Sequence, residues 1–240
     1  MTHVRKHAWV ISLAALLAVL LALTKIIQPG FGASGIESLA RAALPFGFAT
    51  AGMAVVIIAG GIDLSVASMM AVCAVTTAVL MERMAGVPAL IIVLLAGAGM
   101  GAINGTLIIL TKVPDIVVTL AMLFVWEGVA LLILSSPGGA TADWLEGAIR
   151  GSFIFSWLPK AFLIIAIVSA LLWGPLQRTK LGLSIYAIGS DELAAFRSGI
   201  SIGRSKVAAY AICGLFCAFG GLSLAALTGI GEPVPGPYLM

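Results

Sequence analysis

Three polar side chains stand where the surrounding sequence is almost entirely apolar. Asp63 lies in AGGIDLSVAS, residues 59–68, inside a run from Ala42 to Met81 that holds no other charged residue. Glu127 follows an uncharged stretch that begins at Ile116 and is expected to face the bundle interior, and Asn104 sits in GMGAING. A carboxyl in such a setting can hold a proton, pair with a cation or accept a hydrogen bond from a polar solute. A buried amide both donates and accepts. Asp63 and Ser65 can also accept from the free N–H groups of a helix starting just after them, with Gly60 and Gly61 making the reversal before it. The reading leaves both a structural cap and a role in a solute pathway open for this pair. For Asn104 and Glu127 it leaves helix-to-helix hydrogen bonding beside contact with solute.

Other chemistry finds few residues to use. The two histidines, His3 and His7, lie in the first seven residues, so no intramembrane Ser–His pair is available. There is no HExxH, Asp63 has no acidic neighbour for an aspartyl pair, and no GxxxxGK[ST] is present. GAGMGA, from Gly97, matches G-x-G-x-x-A, but that fingerprint needs a preceding strand in a soluble βαβ unit. Cys73, Cys213 and Cys217 fall in apolar helices, where a thiol packs as a small hydrophobe, so neither a disulfide nor a metal site is inferred. No cofactor is implied.

The elements that must position these residues follow from composition. Of 240 residues, 61% are hydrophobic and 10% charged, against roughly 25% charged in soluble domains. A helix needs about 20 apolar residues to cross a bilayer. Windows of that kind fall at Ala8–Ile27, Ala42–Ala59, Leu64–Met81, Pro88–Leu110, Ile116–Leu134, Lys160–Gln177 and Val207–Thr228. The chain is therefore expected to be an all-α, polytopic membrane protein with about seven transmembrane helices. Segments such as Ile91–Leu95 are apolar on both parities, which excludes a barrel. Gly97, Gly101 and Gly105 recur every four residues and would let another helix backbone approach closely. The first span follows His3, Arg5, Lys6 and His7. Its uncharged run from Ala8 to Thr24 is longer than a secretory h-region of about 7–15 residues, so an uncleaved anchor is expected.

The net charge of +3 comes from cations scattered between spans, not gathered on one face, which argues against nucleic acid. With a cytoplasmic N-terminus, Lys112, Arg178, Lys180, Arg197, Arg204 and Lys206 fall inside together with Arg5 and Lys6. Lys25, Arg41, Arg83, Arg150 and Lys160 fall outside, so the positive-inside rule is met. Two connections exceed simple turns. Ser135–Pro159 carries Trp144, Phe153, Phe155 and Trp157 and is expected outside, as an interfacial loop at the headgroup boundary or as a short helix that touches an external partner. Arg178–Lys206 is expected in the cytoplasm. Within it, GSDELAAFRSG has the parts of a short helix: Ser190 to cap, Asp191 and Glu192 in the first turn, Arg197 in the last and Gly199 to stop it. Leu193 and Phe196 share a face of that helix. The bilayer surface, the bundle itself or a soluble partner can cover this face.

GGIDLSVAS, KVPDIVVTLAM at Lys112–Met122, and TKLGLSIYAIGSDELAAFRSGISIGRSKVAAYAICGLFCAFGGL at Thr179–Leu222 closely resemble the ribose-type permease subunits of bacterial ABC sugar importers. The similarity extends from about residue 45 to the end. It implies a single inner-membrane permease domain spanning 1–240, with a cytoplasmic loop at 178–206 holding a coupling helix. It also implies a second permease subunit, homo- or heterodimeric, two cytoplasmic ATP-binding cassette subunits and an extracytoplasmic sugar-binding protein, all working within membrane lipid. By motif, Gly189, Glu192, Ala194, Ser198, Gly199 and Ile200 match the coupling-helix pattern, and Asp191 stands where Asn is frequent. Leu193, Phe196 and Arg197 lie in the same segment and would meet the ATPase.

The family continues past a stretch like PGPYLM, Pro235–Met240, so the resemblance implies a shortened permease produced by a fragment, a frame change or a split gene. The expected function is translocation of a monosaccharide, a ribose-like pentose first, driven by a separate ATPase. Hexoses, polyols, furanosyl signal molecules and branched-chain amino acids are alternatives. A non-transporting scaffold or remnant and an ion-coupled carrier are the readings from other classes.

Overall fold

The computed structural model describes residues 2–84, 86–153 and 158–234. Phe155, Trp157 and the PGPYLM segment lie outside the described residues. The helices are α1 (Thr2–Ile27), α2 (Ala33–Ile58), α3 (Val66–Arg83), α4 (Gly86–Thr111), α5 (Asp115–Ile133), α6 (Asp143–Ile149), α7 (Lys160–Arg178), α8 (Lys180–Ser190), α9 (Glu192–Arg197) and α10 (Ile202–Thr228). Seven of them, α1 to α5, α7 and α10, are long and apolar enough to cross a membrane. Outside helices, pairing among the described residues is limited to the isolated bridges Gly138–Gly231 and Ser152–Pro159. The chain is an all-α polytopic membrane protein.

Boundaries shift where polar residues support a helix beyond its apolar window. α2 starts at Ala33, well before the Ala42 expected, because Glu37 pairs with Arg41 one turn on (3.6 Å) and accepts the Gly151 N–H (2.7 Å). α10 starts at Ile202, before Val207, and its first turns carry Lys206, whose ammonium pairs with Glu192 at 3.0 Å. α8 is a helix the sequence reading missed. The Thr179 hydroxyl caps it by accepting the Gly182 N–H (3.3 Å), and Gly182, Ile185 and Ile188 form its buried side.

α10 is the axis of the bundle, packed against α4, α2 and α3, and most of its membrane-length window is buried. The contact with α4 is made by backbone. A Cβ on Gly97 would stand 2.5 Å from the Gly214 carbonyl oxygen, one on Gly101 2.0 Å from the Tyr210 carbonyl oxygen, and one on Gly105 2.8 Å from Val207 Cα. Gly214 faces back, 2.1 Å from the Gly97 carbonyl oxygen on the same construction. Lipid tails are as apolar as leucine, so close packing of this kind, rather than hydrophobic exclusion, holds helices together in a membrane. α1 stands apart, with none of its membrane-length window buried.

The connections gather at two ends. At one, the α2–α3 turn, the α4–α5 turn and α8–α9 come together. At the other, the bridge between Gly138 and Gly231 (N–H···O 3.1 and 2.8 Å) ties the α5–α6 segment to the chain after α10. Trp144 and Phe153 are exposed at that second end. Replacing Gly101 by Leu is expected to force α4 off α10 and cost about 1–3 kcal/mol. Gly99→Leu, at a glycine with open space around it, should leave stability nearly unchanged; thermal unfolding of the two variants in detergent measures the difference.

Candidate functional site

The α2–α3 turn is built from GGIDLS. α2 ends at Ile58, Gly60 adopts φ +79°, and the Gly61 N–H returns to the Val56 carbonyl (2.9 Å). A left-handed φ is open to glycine at little cost. Asp63 then closes a local turn: its Oδ1 accepts from the Ser65 N–H (2.9 Å) and from the Ser65 hydroxyl (2.7 Å). The Ser65 hydroxyl thus donates to Asp63, where the sequence reading had it accept from α3. It also accepts from Asn104 Nδ2 (2.7 Å), and Asn104 Oδ1 accepts from the Trp126 indole N–H (3.1 Å). One chain of side chains therefore joins the turn to α4 and α5.

A second set of bonds braces the same turn. The Leu64 N–H donates to the Thr119 hydroxyl (3.1 Å), which donates to the Asp115 carbonyl (2.8 Å). The Tyr210 hydroxyl of α10 donates to Asp115 Oδ2 at 2.9 Å. Asp63 is fully buried, and its Oδ2 has no hydrogen-bond partner. Burial pushes the Asp63 carboxyl above the usual carboxylate range, against the Ser65 hydrogen bonds that favour its charged form. A carboxyl with one satisfied and one empty oxygen is suited to holding a proton.

Of the candidate pathway residues, Asp63, Ser65 and Asn104 meet in one network, and Glu127 stands outside it. Glu127 is half-buried one residue beyond Trp126, with no hydrogen bond or ion pair among the described residues, not enclosed in the bundle as expected. The sequence reading missed Trp126, Asp115, Thr119 and Tyr210. An indole deep in an apolar span needs a partner for its N–H, and that was the available signal for Trp126.

α9 projects beside this turn. Asp191, not Ser190, is its cap: Asp191 Oδ1 accepts the Ala194 N–H (2.9 Å), while Ser190 is the last residue of α8. The far end closes with Gly199 at φ +81°, the Ile200 N–H bonding to the Ala195 carbonyl (3.1 Å) and the Gly199 N–H to the Phe196 carbonyl (3.0 Å). That pair of bonds is a Schellman motif, so this short helix is fastened at both ends. Ala195 is its buried residue, whereas Leu193 and Phe196 are 58% and 67% exposed. Glu192 ties α9 to α10 through Lys206. Gly189 ties the preceding residues to α2, since a Cβ there would stand 1.7 Å from the Ile58 carbonyl oxygen. The GGIDLS turn and α9 are thus mechanically adjacent.

These features define a multi-pass helical membrane protein with a buried polar junction and a rigid, apolar-edged helix at one end. Over residues 35–239 the sequence matches the family described as the permease component of branched-chain amino acid transport systems, and the chain belongs to that permease family. Among curated proteins it is similar to the autoinducer 2 import system permease protein LsrD of Escherichia coli strain K12, of Escherichia coli O157:H7 and of Shigella flexneri. Each is 33% identical over 245 residues, covering 93% of this chain and 70% of the relative. No solved structure matches it.

The Asp63 arrangement makes a signed prediction. Because the folded chain holds the Asp63 proton more tightly than an unfolded one, the associated stability is full at acid pH and falls as pH rises above the ordinary carboxylate value of 3.8. Asp63→Asn keeps an acceptor for Ser65 and removes the ionisation. It is expected to raise Tm near neutral pH and to flatten the decline of Tm with pH, as followed by thermal unfolding of the purified protein.

Proposed function

We propose that this chain is the membrane-spanning permease subunit of an ATP-driven importer for a small neutral solute. The observation that carries the reading is α9: a helix capped at both ends, with Leu193 and Phe196 uncovered beyond the spans and fastened to α2 and α10 at its base. Such an edge is suited to a groove on a cytoplasmic ATP-binding cassette subunit. Asp191, Glu192, Ala194, Arg197, Ser198 and Gly199 shape it, and Gly189 sets its base. The N-terminus is then cytoplasmic, and residues 178–206 form the cytoplasmic coupling loop of a single permease domain. A second permease subunit, a pair of ATPases and an extracytoplasmic binding protein complete the assembly.

Closure of the ATPases would displace α9, and Gly189 would pass that displacement to the end of α2 and the Asp63 turn, while Glu192–Lys206 passes it to α10. The relatives named for autoinducer 2 favour a small signal molecule as substrate ahead of a ribose-like pentose. Spans poor in charge fit either neutral solute better than an amino-acid zwitterion.

Exchange of Glu192–Arg197 for a Gly/Ser linker is expected to abolish copurification of the ATPase with the intact chain; retained copurification would remove the docking role. Gly189→Val is expected to keep ATPase association but lower solute uptake by on the order of tenfold or more. Uptake at the parental rate in that variant would show that α2 is not driven from α9.

A further inference from the structure

α7 is long and apolar enough to cross the membrane, yet little of it is packed. Ala161 and Leu176 are its buried residues, and 11% of its membrane-length window is buried, so most of its length faces acyl chains. Its surface beside α6 is grooved. Lys160, Leu163, Ile164 and Ile167 recur at helical spacing and share one face. With Ala148 of α6 and with Phe153 they line a groove of about 370 Å³. Lys160 is the first residue of α7, and Ile167 lies about 10 Å further along the helix. The groove therefore runs from the end of the span towards the membrane interior.

The lining is sorted by depth. Lys160 is its one polar residue among those described, and the rest are apolar. At the end of a span, a lysine lays its stem along hydrocarbon and carries its charge at the level of the headgroups. The Lys160 ammonium has three donors. One makes a long bond to the Gly147 carbonyl of α6 (3.4 Å), and no carboxylate pairs with it among the described residues. The acids of α6 do not answer it: Glu146 is paired with Arg150 at 2.5 Å, and Asp143 stands one turn before Gly147, at the start of that helix. Lys25, at the end of α1, differs in that its ammonium is held by the Pro29 and Phe31 carbonyls of its own chain (2.7 and 2.5 Å).

An unanswered cation at the mouth of an apolar groove is complementary to an acyl chain that carries a negative head. The groove lies along a membrane-length helix, where acyl chains are the surrounding medium. We propose that the α6–α7 groove seats one anionic phospholipid of the leaflet on the α6 side, with its acyl chain along Leu163, Ile164 and Ile167 and its phosphate accepting from Lys160. The assignment does not depend on the importer reading. It supplies from the bilayer the lateral contact between α6 and α7 that the chain leaves open.

The test is native mass spectrometry of the full chain, reconstituted in vesicles of equal parts phosphatidylglycerol and phosphatidylcholine with identical acyl chains and then released from detergent. The parent chain is expected to retain one phosphatidylglycerol with a preference of about fivefold over phosphatidylcholine, the size expected of one lysine close to anionic lipid. Lys160→Gln is expected to remove the preference. Ile164→Trp, which fills the groove, is expected to lower retention of both lipids, and Lys25→Gln to keep the parental pattern. Equal retention of the two lipids by the parent overturns the proposal whether or not any variant folds. A preference that survives Lys160→Gln, or retention untouched by Ile164→Trp, overturns it as well. So does a parent chain that emerges as a lipid-free dimer, which would give the groove to a second copy.

Discussion

Hydrocarbon provides no hydrogen-bond partner, so every polar group that this chain carries below the headgroups has to be answered from within the protein. That constraint organises the end of the bundle where α2, α3, α4 and α5 meet. The Asn104 amide is satisfied by Ser65 on one side and Trp126 on the other, and the Thr119 hydroxyl takes the Leu64 N–H left free where the chain reverses. Because these partners come from the α2–α3 turn, α4 and α5, satisfying them also fixes how those helices are set relative to one another. Among the described residues the Asp63 Oδ2, the Arg41 Nε and the Glu127 carboxyl are left without a hydrogen-bond partner.

The second organising contact is made without side chains. Where Gly97, Gly101 and Gly105 meet α10, the two backbones are too close for any Cβ, and Gly189 repeats the device where α8 meets α2. Contacts of this kind are stiff. Side chains can rotate out of the way of a moving helix, whereas carbonyls in direct contact move together or separate. Such stiffness suits the proposed passage of a push from α9 into the spans.

The membrane architecture was legible because hydrophobic length alone decides it: all seven spans stand within a few residues of where the apolar windows put them, apart from the polar extensions of α2 and α10. Those extensions depend on Glu37 meeting Arg41 and Gly151, and on Lys206 meeting Glu192, and long-range partners leave no local trace. α8 escaped notice because KLGLSIYAIGS is short and lies in a loop whose charge suggested solvent. The stop of α9 at Gly199 was readable from the chemistry of glycine, but its start was placed one residue early, since Ser190 and Asp191 are both good caps and only the fold of α8 chooses between them. Glu127 drew attention by its charge. Trp126, which carries the hydrogen bond, did not, because an indole in an apolar span looks like packing.

The glycine contact between α4 and α10 joins helices with five others between them in the chain. Until α10 has been threaded into the bilayer, the grooved side of α4 has only lipid to fill it, and a half-made molecule is stable as a set of separate rods before it is stable as a bundle. Biogenesis therefore has a late commitment point: damage to α10 would leave inserted but unassembled helices, the kind of product that membrane quality-control proteases remove.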